Sequence, residues 1–236
     1  MGGQILTKFD GFSTDLIKFL KDLKQNNNRE WFNDNKQRYR DSIVEPMCDF
    51  IAAMNDPLRK ISPRFVADPR ANGGSMFRIY RDTRFAKDKT PYKGNVGCHF
   101  RHQAGKDAHA PGFYLHIEPG NVFFGGGIWM PPNPNLNKIR TAIVESPKKW
   151  EKVKKNSSIK NRTDGIGGDG LKRAPRGYDE NHPYIDDLKR KSFFAMTNSS
   201  DKLITDQMFM QEVVKTFKAV SPLMEFLTEA QGLAYR

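Results

Sequence analysis

Several features that would assign a chain to a familiar class of protein are missing from this sequence of 236 residues. It contains only two cysteines, Cys48 and Cys98, which permit at most one disulfide and exclude a zinc cluster built on thiolates. No apolar run approaches the ~18 residues of a membrane-spanning helix, and the first ten residues lack the pattern of a secretory signal. We therefore expect an intracellular protein, in the cytoplasm, that does not cross a membrane.

No known catalytic motif occurs either, so the sequence leaves open whether the protein is an enzyme and names no cofactor. What the chain does have is an excess of positive charge, +12 overall. The excess is concentrated centrally, where residues 77–140 carry 10 cations against 4 carboxylates. A positive surface attracts phosphate-bearing partners, although it also keeps a protein soluble. An anionic partner is therefore the first expectation.

The apolar pattern changes along the chain from helical to strand-like and back. Ser13 is a suitable N-cap for a helix, and apolar residues recur at helical spacing behind it; a second amphipathic helix should follow Asn28 and bend at Pro46. Alternating apolar residues then predict strands, with a hairpin turn at Pro119-Gly120. The pattern predicts an α+β fold in which helices cover a central antiparallel sheet.

We expect one domain over residues 1–236. Its predicted parts are a helical hairpin (about 12–58), central strands (about 64–130) and a C-terminal half rich in helices and loops (about 134–236). In that half, residues 156–170 are predicted to form a mobile loop, and a long helix with a kink near Pro222 is predicted over about 205–233.

The densest cluster of charged and aromatic side chains lies between Phe77 and Lys93, where seventeen residues include six cations, two carboxylates and four aromatics. In a strand over residues 76–85, alternate polar side chains would share one face. Guanidinium groups match the oxygens of phosphates and carboxylates, and a neighbouring Asp can hold them in position. The segment thus predicts a site for an anionic small molecule, most simply one that bears phosphate. The candidate ligand-binding residues are Arg78, Arg81, Asp82, Arg84, Lys89, Tyr92, Lys93 and, further along the chain, Arg140.

Two other interpretations of the basic residues remain open. They could belong to a nucleic-acid-binding module, together with the basic stretch at residues 148–162. Alternatively, they could form an internal network of ion pairs that only stabilises the fold of a structural or protein-interaction domain. The first of these interpretations predicts binding that weakens steeply as salt rises.

His116 and Glu118 alternate on one face of a predicted strand, and they are the candidate catalytic pair for proton transfer near neutral pH. With His99 on a neighbouring strand they could instead bind a divalent metal, but no ligand-spacing motif supports this, so we predict no metal. The nearby run Gly125-Gly126-Gly127 could let a backbone approach a phosphate; close packing is the interpretation we favour.

Several sequence motifs of this chain resemble those of a known family. They are FRIYRDTRFAKDKTPYK, NNNREWF upstream of it, and IEPG, GGGIWMPPNPNL and LKRAPRGYDENHP downstream. By these motifs the chain resembles the conserved hypothetical family DUF2461 over nearly its whole length. The resemblance implies one family-length domain and no particular activity or cofactor. It marks Arg78, Arg81, Asp82, Arg84, Lys89, Tyr92 and Lys93 as signature residues only.

Overall fold

A computed structural model describes residues 9–105 and 110–236 of the chain. Residues 1–8, on which part of the signal-peptide expectation rests, lie outside the described residues. At the centre is an antiparallel sheet with the strand order β1-β2-β3-β4. The strands are β1 (Val96–Arg101), β2 (Gly112–Glu118), β3 (Asn121–Ile128) and β4 (Phe193–Ser199). The predicted α+β class with a central antiparallel sheet is therefore confirmed.

The hairpin between β2 and β3 forms where the sequence predicts it. Glu118 pairs with Asn121, so only Pro119 and Gly120 form the loop. Gly120 has a φ of 78°, a conformation that glycine adopts at no steric cost. Its backbone N–H donates to Asp201 just after β4 (2.9 Å), which links the turn to the far edge of the sheet.

The predicted N-terminal helical hairpin is also present. Helix α1 (Thr14–Gln25) begins after Ser13, whose hydroxyl accepts a hydrogen bond from the backbone of Asp15. The second arm is divided into α2 (Arg29–Asp34), α3 (Lys36–Tyr39), α4 (Glu45–Ala53) and α5 (Asn55–Ile61). Between α3 and α4, residues Arg40–Val44 form a π-helical turn immediately before Pro46. Pro46 has no N–H to donate four residues back, so the α-helical hydrogen bonding is interrupted where a bend is predicted.

Helices occupy most of the C-terminal half. Between β3 and β4 in sequence lie α6 (Asn133–Glu145), α7 (Pro147–Lys154), α8 (Ser157–Arg162) and α9 (Ile185–Leu188); after β4 come α10 (Asp201–Ile204), α11 (Phe209–Ala219) and α12 (Ser221–Ala230). The predicted terminal helix over about 205–233 is divided into α11 and α12, and the break lies close to the kink predicted near Pro222. Pro222 lies in the first turn of α12, where its missing N–H leaves no helical hydrogen bond unmade.

The helices bury one face of the sheet. Phe113 of β2 stacks on Phe217 of α11 with ring centroids 4.8 Å apart. On β3, a Cβ at Gly126 would lie 2.8 Å from the sulfur of Met224, so this glycine lets α12 approach the sheet closely. One hydrophobic cluster includes residues of the N-terminal helices, the sheet and the C-terminal helices. The opposite face of the sheet is left available for a site.

The predicted strand over residues 76–85 is wrong. Only isolated bridges occur there, Met76 with Cys98 and Tyr80 with Tyr92. The backbone N–H of Arg81 donates to the carbonyl of Pro91 (2.9 Å), but proline has no N–H with which to return the bond. The backbone pairing between the two segments therefore ends at Arg81 and Pro91. Beyond that point the segment is not a strand, and its side chains do not alternate between two faces.

Residues 156–170 contain more regular structure than the predicted loop. They include α8, and the glycine-rich part after it forms bridges between Gly167 and Phe194 and between Gly170 and Arg190. This segment thus lies along the β4 edge of the sheet. Within the described residues, no helix is long and apolar enough to span a membrane.

Candidate functional site

A cavity of about 650 Å³ opens on the sheet face that the C-terminal helices leave free. Its wall includes six aromatic side chains. The aromatic side chains that line it come from all four strands and from the segments beside them: Phe77, His99, Tyr114, Phe123, Trp129 and Phe194. Its volume is within the ~300–1,000 Å³ that small-molecule sites occupy. We call it the sheet pocket.

The strand register explains why a depression forms at this position. His99, Tyr114, Gly125 and Met196 are successive Cα partners across the four strands. In the next row of the same face, Gly112 pairs with a second glycine of β3, Gly127. Three neighbouring positions of this face therefore have no side chain, and the large side chains around them form the walls.

These glycines cannot be replaced without moving a neighbour. A Cβ on Gly112 would lie 2.0 Å from Nε2 of His99, and one on Gly125 would lie 2.1 Å from the carbonyl oxygen of Ala195. Close packing at the predicted glycine run is therefore confirmed. The run lies inside β3, and its last residue, Gly127, lines the pocket, a role that the sequence context does not reveal.

His99 is the most buried polar side chain of the pocket, with 8% of its surface exposed. Its ring is nearly parallel to Phe77 (centroids 6.1 Å apart, 15° between planes) and edge-on to Tyr114. Burial, aided by the nearby Arg101, lowers the pKa of His99 from 6.5 to about 4. The imidazole is thus neutral at pH 7, and its buried Nδ1 has no hydrogen-bond partner among residues 9–105 and 110–236.

A row of polar groups extends from the pocket along β2. Burial raises the pKa of Tyr114, so the phenol keeps its proton, and its oxygen is hydrogen-bonded to Nδ1 of His116 (3.0 Å). His116 stacks on Phe123 at 4.5 Å, and its Nε2 lies 3.7 Å from a carboxylate oxygen of Glu118. Burial lowers the pKa of His116, while the nearby carboxylate of Glu118 acts in the opposite direction. The predicted catalytic pair is therefore close in space, and Tyr114 connects it to the pocket.

The arrangement does not favour the metal alternative. His99 and His116 are separated by the ring of Tyr114, which contacts both imidazoles. Among residues 9–105 and 110–236, no group of three or more His, Cys, Asp or Glu side chains is placed to hold a metal ion.

The end of the pocket nearest β4 is polar. Asp164 and Asn198 both line it, and the amide of Asn198 donates to the Asp164 carboxylate (3.0 Å). Beyond them the indole of Trp129 covers Phe194 with 58% of its own surface exposed. The following residue, Met130, has a φ of 42°, a left-handed conformation that is uncommon outside glycine and that often marks functional positions.

The basic segment, residues 77–93, reaches the pocket through its first residue, Phe77. The ammonium of Lys93 lies 5.6 Å from the centroid of the Phe77 ring and donates to the carbonyl of Arg78 (2.9 Å). Burial, with a contribution from Arg78, lowers the pKa of Lys93. Lys93 and Arg78 are thus the predicted site residues that the structure brings nearest to the cavity.

Other cations of the basic segment are engaged within it. Arg84 forms a pair with Asp82 (2.7 Å), and Arg81 forms one with Asp88 (2.5 Å). Hydrogen bonds from these guanidinium groups lower the pKa of each carboxyl to about 2. The ammonium of Lys89 donates to a backbone carbonyl of the same loop (2.9 Å). These are local pairs within one loop, and such pairs are what the structural interpretation of the segment would require.

Tyr92 and Arg140 are not brought into this group. Tyr92 is 4% exposed and stacks on Phe32 at 4.0 Å, as part of the hydrophobic core. Arg140 of α6 is 6% exposed, and its guanidinium donates to the backbone carbonyls of Leu188 (2.7 Å) and Arg190 (3.4 Å). Both side chains connect parts of the fold, which is a different role from the predicted contact with an anion.

Comparison with known proteins agrees with the motifs. The model of the family described as conserved hypothetical protein DUF2461 matches residues 15–226, from α1 to α12. The chain belongs to this family. The match includes the four strands and the basic segment. No curated protein and no solved structure matched this DUF2461 chain.

Sequence analysis missed most of the pocket of this DUF2461 protein. Tyr114 lies two residues before His116 on the same face of the predicted strand, so the alternation could have included it. Phe194 and Met196 could not have been found in this way, because nothing in the local pattern says that β4 pairs with β3. Trp129 lies two residues after the glycine run, and a tryptophan at that position was the best available signal.

Proposed function

We propose that this DUF2461 protein binds a small organic anion in the sheet pocket. The ligand that fits best has a flat apolar body and a phosphate or carboxylate group at one end. The observation that carries the proposal is the aromatic cavity itself, together with the basic segment that begins at its wall.

The aromatic lining favours the flat body. Rings that are already packed edge-on or parallel, such as Phe77 against His99, leave π-faces and edges for a planar ligand. The glycine floor lets such a ligand approach the backbone of β3, as it has no side chains to displace.

Charge distribution favours an anionic group at the β1 end. Lys93 is in contact with Phe77, Arg78 is adjacent to it in sequence, and Arg101 lies on the same face of β1 as His99. At the opposite end, Asp164 contributes a carboxylate that would repel an anion. The orientation we propose therefore places the anionic group toward Lys93 and the apolar body toward Trp129.

If the protein is an enzyme, the row from Tyr114 through His116 to Glu118 is the group that would move a proton. A ligand oxygen at Tyr114 would be connected by one hydrogen bond to His116. The cations would then stabilise negative charge that develops on the substrate.

The proposal is tested with a dye that has the same two features. Anilinonaphthalene sulfonate combines aromatic rings with an anionic group and fluoresces when its surroundings are apolar. We expect it to bind the folded protein with one dye per chain, and Met196→Trp to prevent this, because Met196 faces Gly125 and a larger ring there covers the floor. Met208→Trp is the matched control, since Met208 is exposed and does not line the cavity.

Displacement then identifies the natural class of ligand. Nucleotides, sugar phosphates and aromatic carboxylates are added to the dye complex, and each is also tested for a rise in the thermal midpoint. No binding by the dye or by any of these compounds, or equal binding to both methionine variants, would contradict the proposal.

The ion pairs favour a second candidate for the basic segment, a purely structural one. If the pairs only hold the loop in place, Arg81→Ala should lower the thermal midpoint without changing dye affinity. A nucleic-acid-binding role is the third outcome: oligonucleotides would then bind at low salt, compete poorly with the dye, and dissociate as salt rises.

A further inference from the structure

Two buried histidines near the β1 edge differ in how their nitrogens are satisfied. His102 is 4% exposed, and both of its ring nitrogens have partners: Nε2 lies 2.9 Å from the carbonyl of Ala234, and Nδ1 accepts from the backbone of Ala104 (3.2 Å). His99 is almost as buried, yet its Nδ1 has no partner in the part of the chain that the structure describes. Buried polar atoms are nearly always hydrogen-bonded, so an exception needs a reason.

The surroundings of His99 direct one edge of its ring toward the pocket floor. The Nε2 and Cδ2 atoms are those nearest to the position that a Cβ of Gly112 would occupy, at 2.0 and 2.6 Å. Because Gly112 has no side chain, this edge of the ring packs over Gly112, and both residues line the cavity. A half-turn about the Cβ–Cγ bond would bring Nδ1 to the same edge without changing the plane that stacks on Phe77.

We infer that His99 is the residue that recognises the polar head group of the ligand, by donating a hydrogen bond to one of its anionic oxygens. The inference rests on the proposed function and makes it more specific. Since the described residues supply no partner for Nδ1, no hydrogen bond among them fixes the tautomer, and the ring can carry its proton on the nitrogen beside Gly112. Arg101 and Lys93 at the same end favour an acceptor that carries negative charge.

The inference also predicts how the pocket discriminates between ligands. A molecule with the same rings and no anionic group can fill the aromatic part but has nothing to accept the proton of His99. The difference in affinity between two such molecules should therefore depend on His99, whereas the affinity for the rings should not.

The test uses the dye and its neutral counterpart, N-phenylnaphthylamine, with wild-type protein, His99→Leu and His99→Gln. Loss of a hydrogen bond to a charged group should weaken dye binding by ~10-fold or more in His99→Leu. Binding of the neutral compound should be unchanged. His99→Gln, which keeps an N–H donor at a similar distance from the backbone, should recover part of the affinity for the dye.

A measurement on unmodified protein removes any dependence on how the variants fold. Long-range proton–nitrogen NMR spectra report the ring nitrogens of each histidine. On saturation with the dye, a nitrogen resonance of His99 should move, while those of His102 should stay in place, because both are already paired within the protein.

The outcomes separate the two proposals. If the dye binds and Met196→Trp blocks it, but the nitrogens of His99 do not move and His99→Leu binds normally, the role of His99 is overturned while the pocket stands. If neither compound binds wild-type protein, the proposed function fails and this inference fails with it.

Discussion

On mild acidification the wild-type protein should lose more stability than the variant His99→Gln. The folded state holds the pKa of His99 at about 4, whereas an exposed histidine in the unfolded chain titrates near 6.5. Between these values the unfolded state binds more protons, so the free energy of unfolding rises with pH and falls as the solution becomes more acidic. Above about pH 6.5 the ring is neutral in both the folded and the unfolded state, so its titration removes no stability there.

The size of the effect follows from the shift. A difference of about 2.5 pKa units corresponds to roughly 3 kcal/mol once the pH is below both values. Between about pH 8 and about pH 5, the loss attributable to His99 is about 2 kcal/mol. His116 should add a loss of the same sign, because burial lowers its pKa as well, but it titrates in wild type and variant alike.

The measurement is urea unfolding at several pH values across this window, for wild-type protein and His99→Gln. The informative quantity is the change of unfolding free energy with pH, since the substitution also alters absolute stability. The pairs at Asp82 and Asp88 titrate near pH 2, below the window, and cancel in the comparison. His182→Gln, outside the pocket, controls for loss of any histidine. Parallel pH profiles for wild type and His99→Gln would refute the claim that the buried ring is held neutral.

Further predictions concern the pocket floor and the buried charges. Gly112→Ala should destabilise the protein because its Cβ would overlap the ring of His99, and adding His99→Ala should restore ~1–3 kcal/mol in a double-mutant cycle measured by urea unfolding; additive effects would contradict the overlap. Arg140→Met should cost about 2 kcal/mol by leaving two carbonyls unpaired without changing dye affinity, whereas Lys138→Met on the exposed side of the same helix should cost little; weaker dye binding would return Arg140 to the site. Asp187→Ala should lower stability by about 3 kcal/mol, since it removes the carboxylate shared by two cations and an indole N–H; an unchanged midpoint would show that solvent replaces it.

Elements defined by neighbouring residues could be predicted well. The cap at Ser13 and the Pro119-Gly120 turn each depend on residues within a few positions of one another, and both are present as expected. Near Pro46, where a bend is predicted, the chain forms a π-helical turn. The strand content of β1 to β3 could be predicted from alternation for the same reason. The predicted strand over residues 76–85 failed because Pro91 lies on its partner segment, far enough along the chain that its effect on the pairing could not be seen.

The basic segment shows how charge density can mislead. Asp82 and Asp88 each accept from the backbone two residues ahead, at Arg84 and Thr90, and this fixes short turns that bring the carboxylates beside the guanidinium groups. The spacing of Asp and its partner was visible in the sequence. Its consequence, that several cations are already paired, depends on side-chain geometry that the sequence does not specify.

The sequence by itself determined the helical hairpin, the β2–β3 turn, the α+β class and the membership of the DUF2461 family, because each depends on local pattern or on continuous motifs. Only the tertiary structure decided where a ligand could bind. The sheet pocket needs β4 beside β3, and it needs Gly112 next to Gly127 in the register of two paired strands. Such neighbours are set by the packing of the whole sheet against its helices, so no reading along the chain could have assembled them.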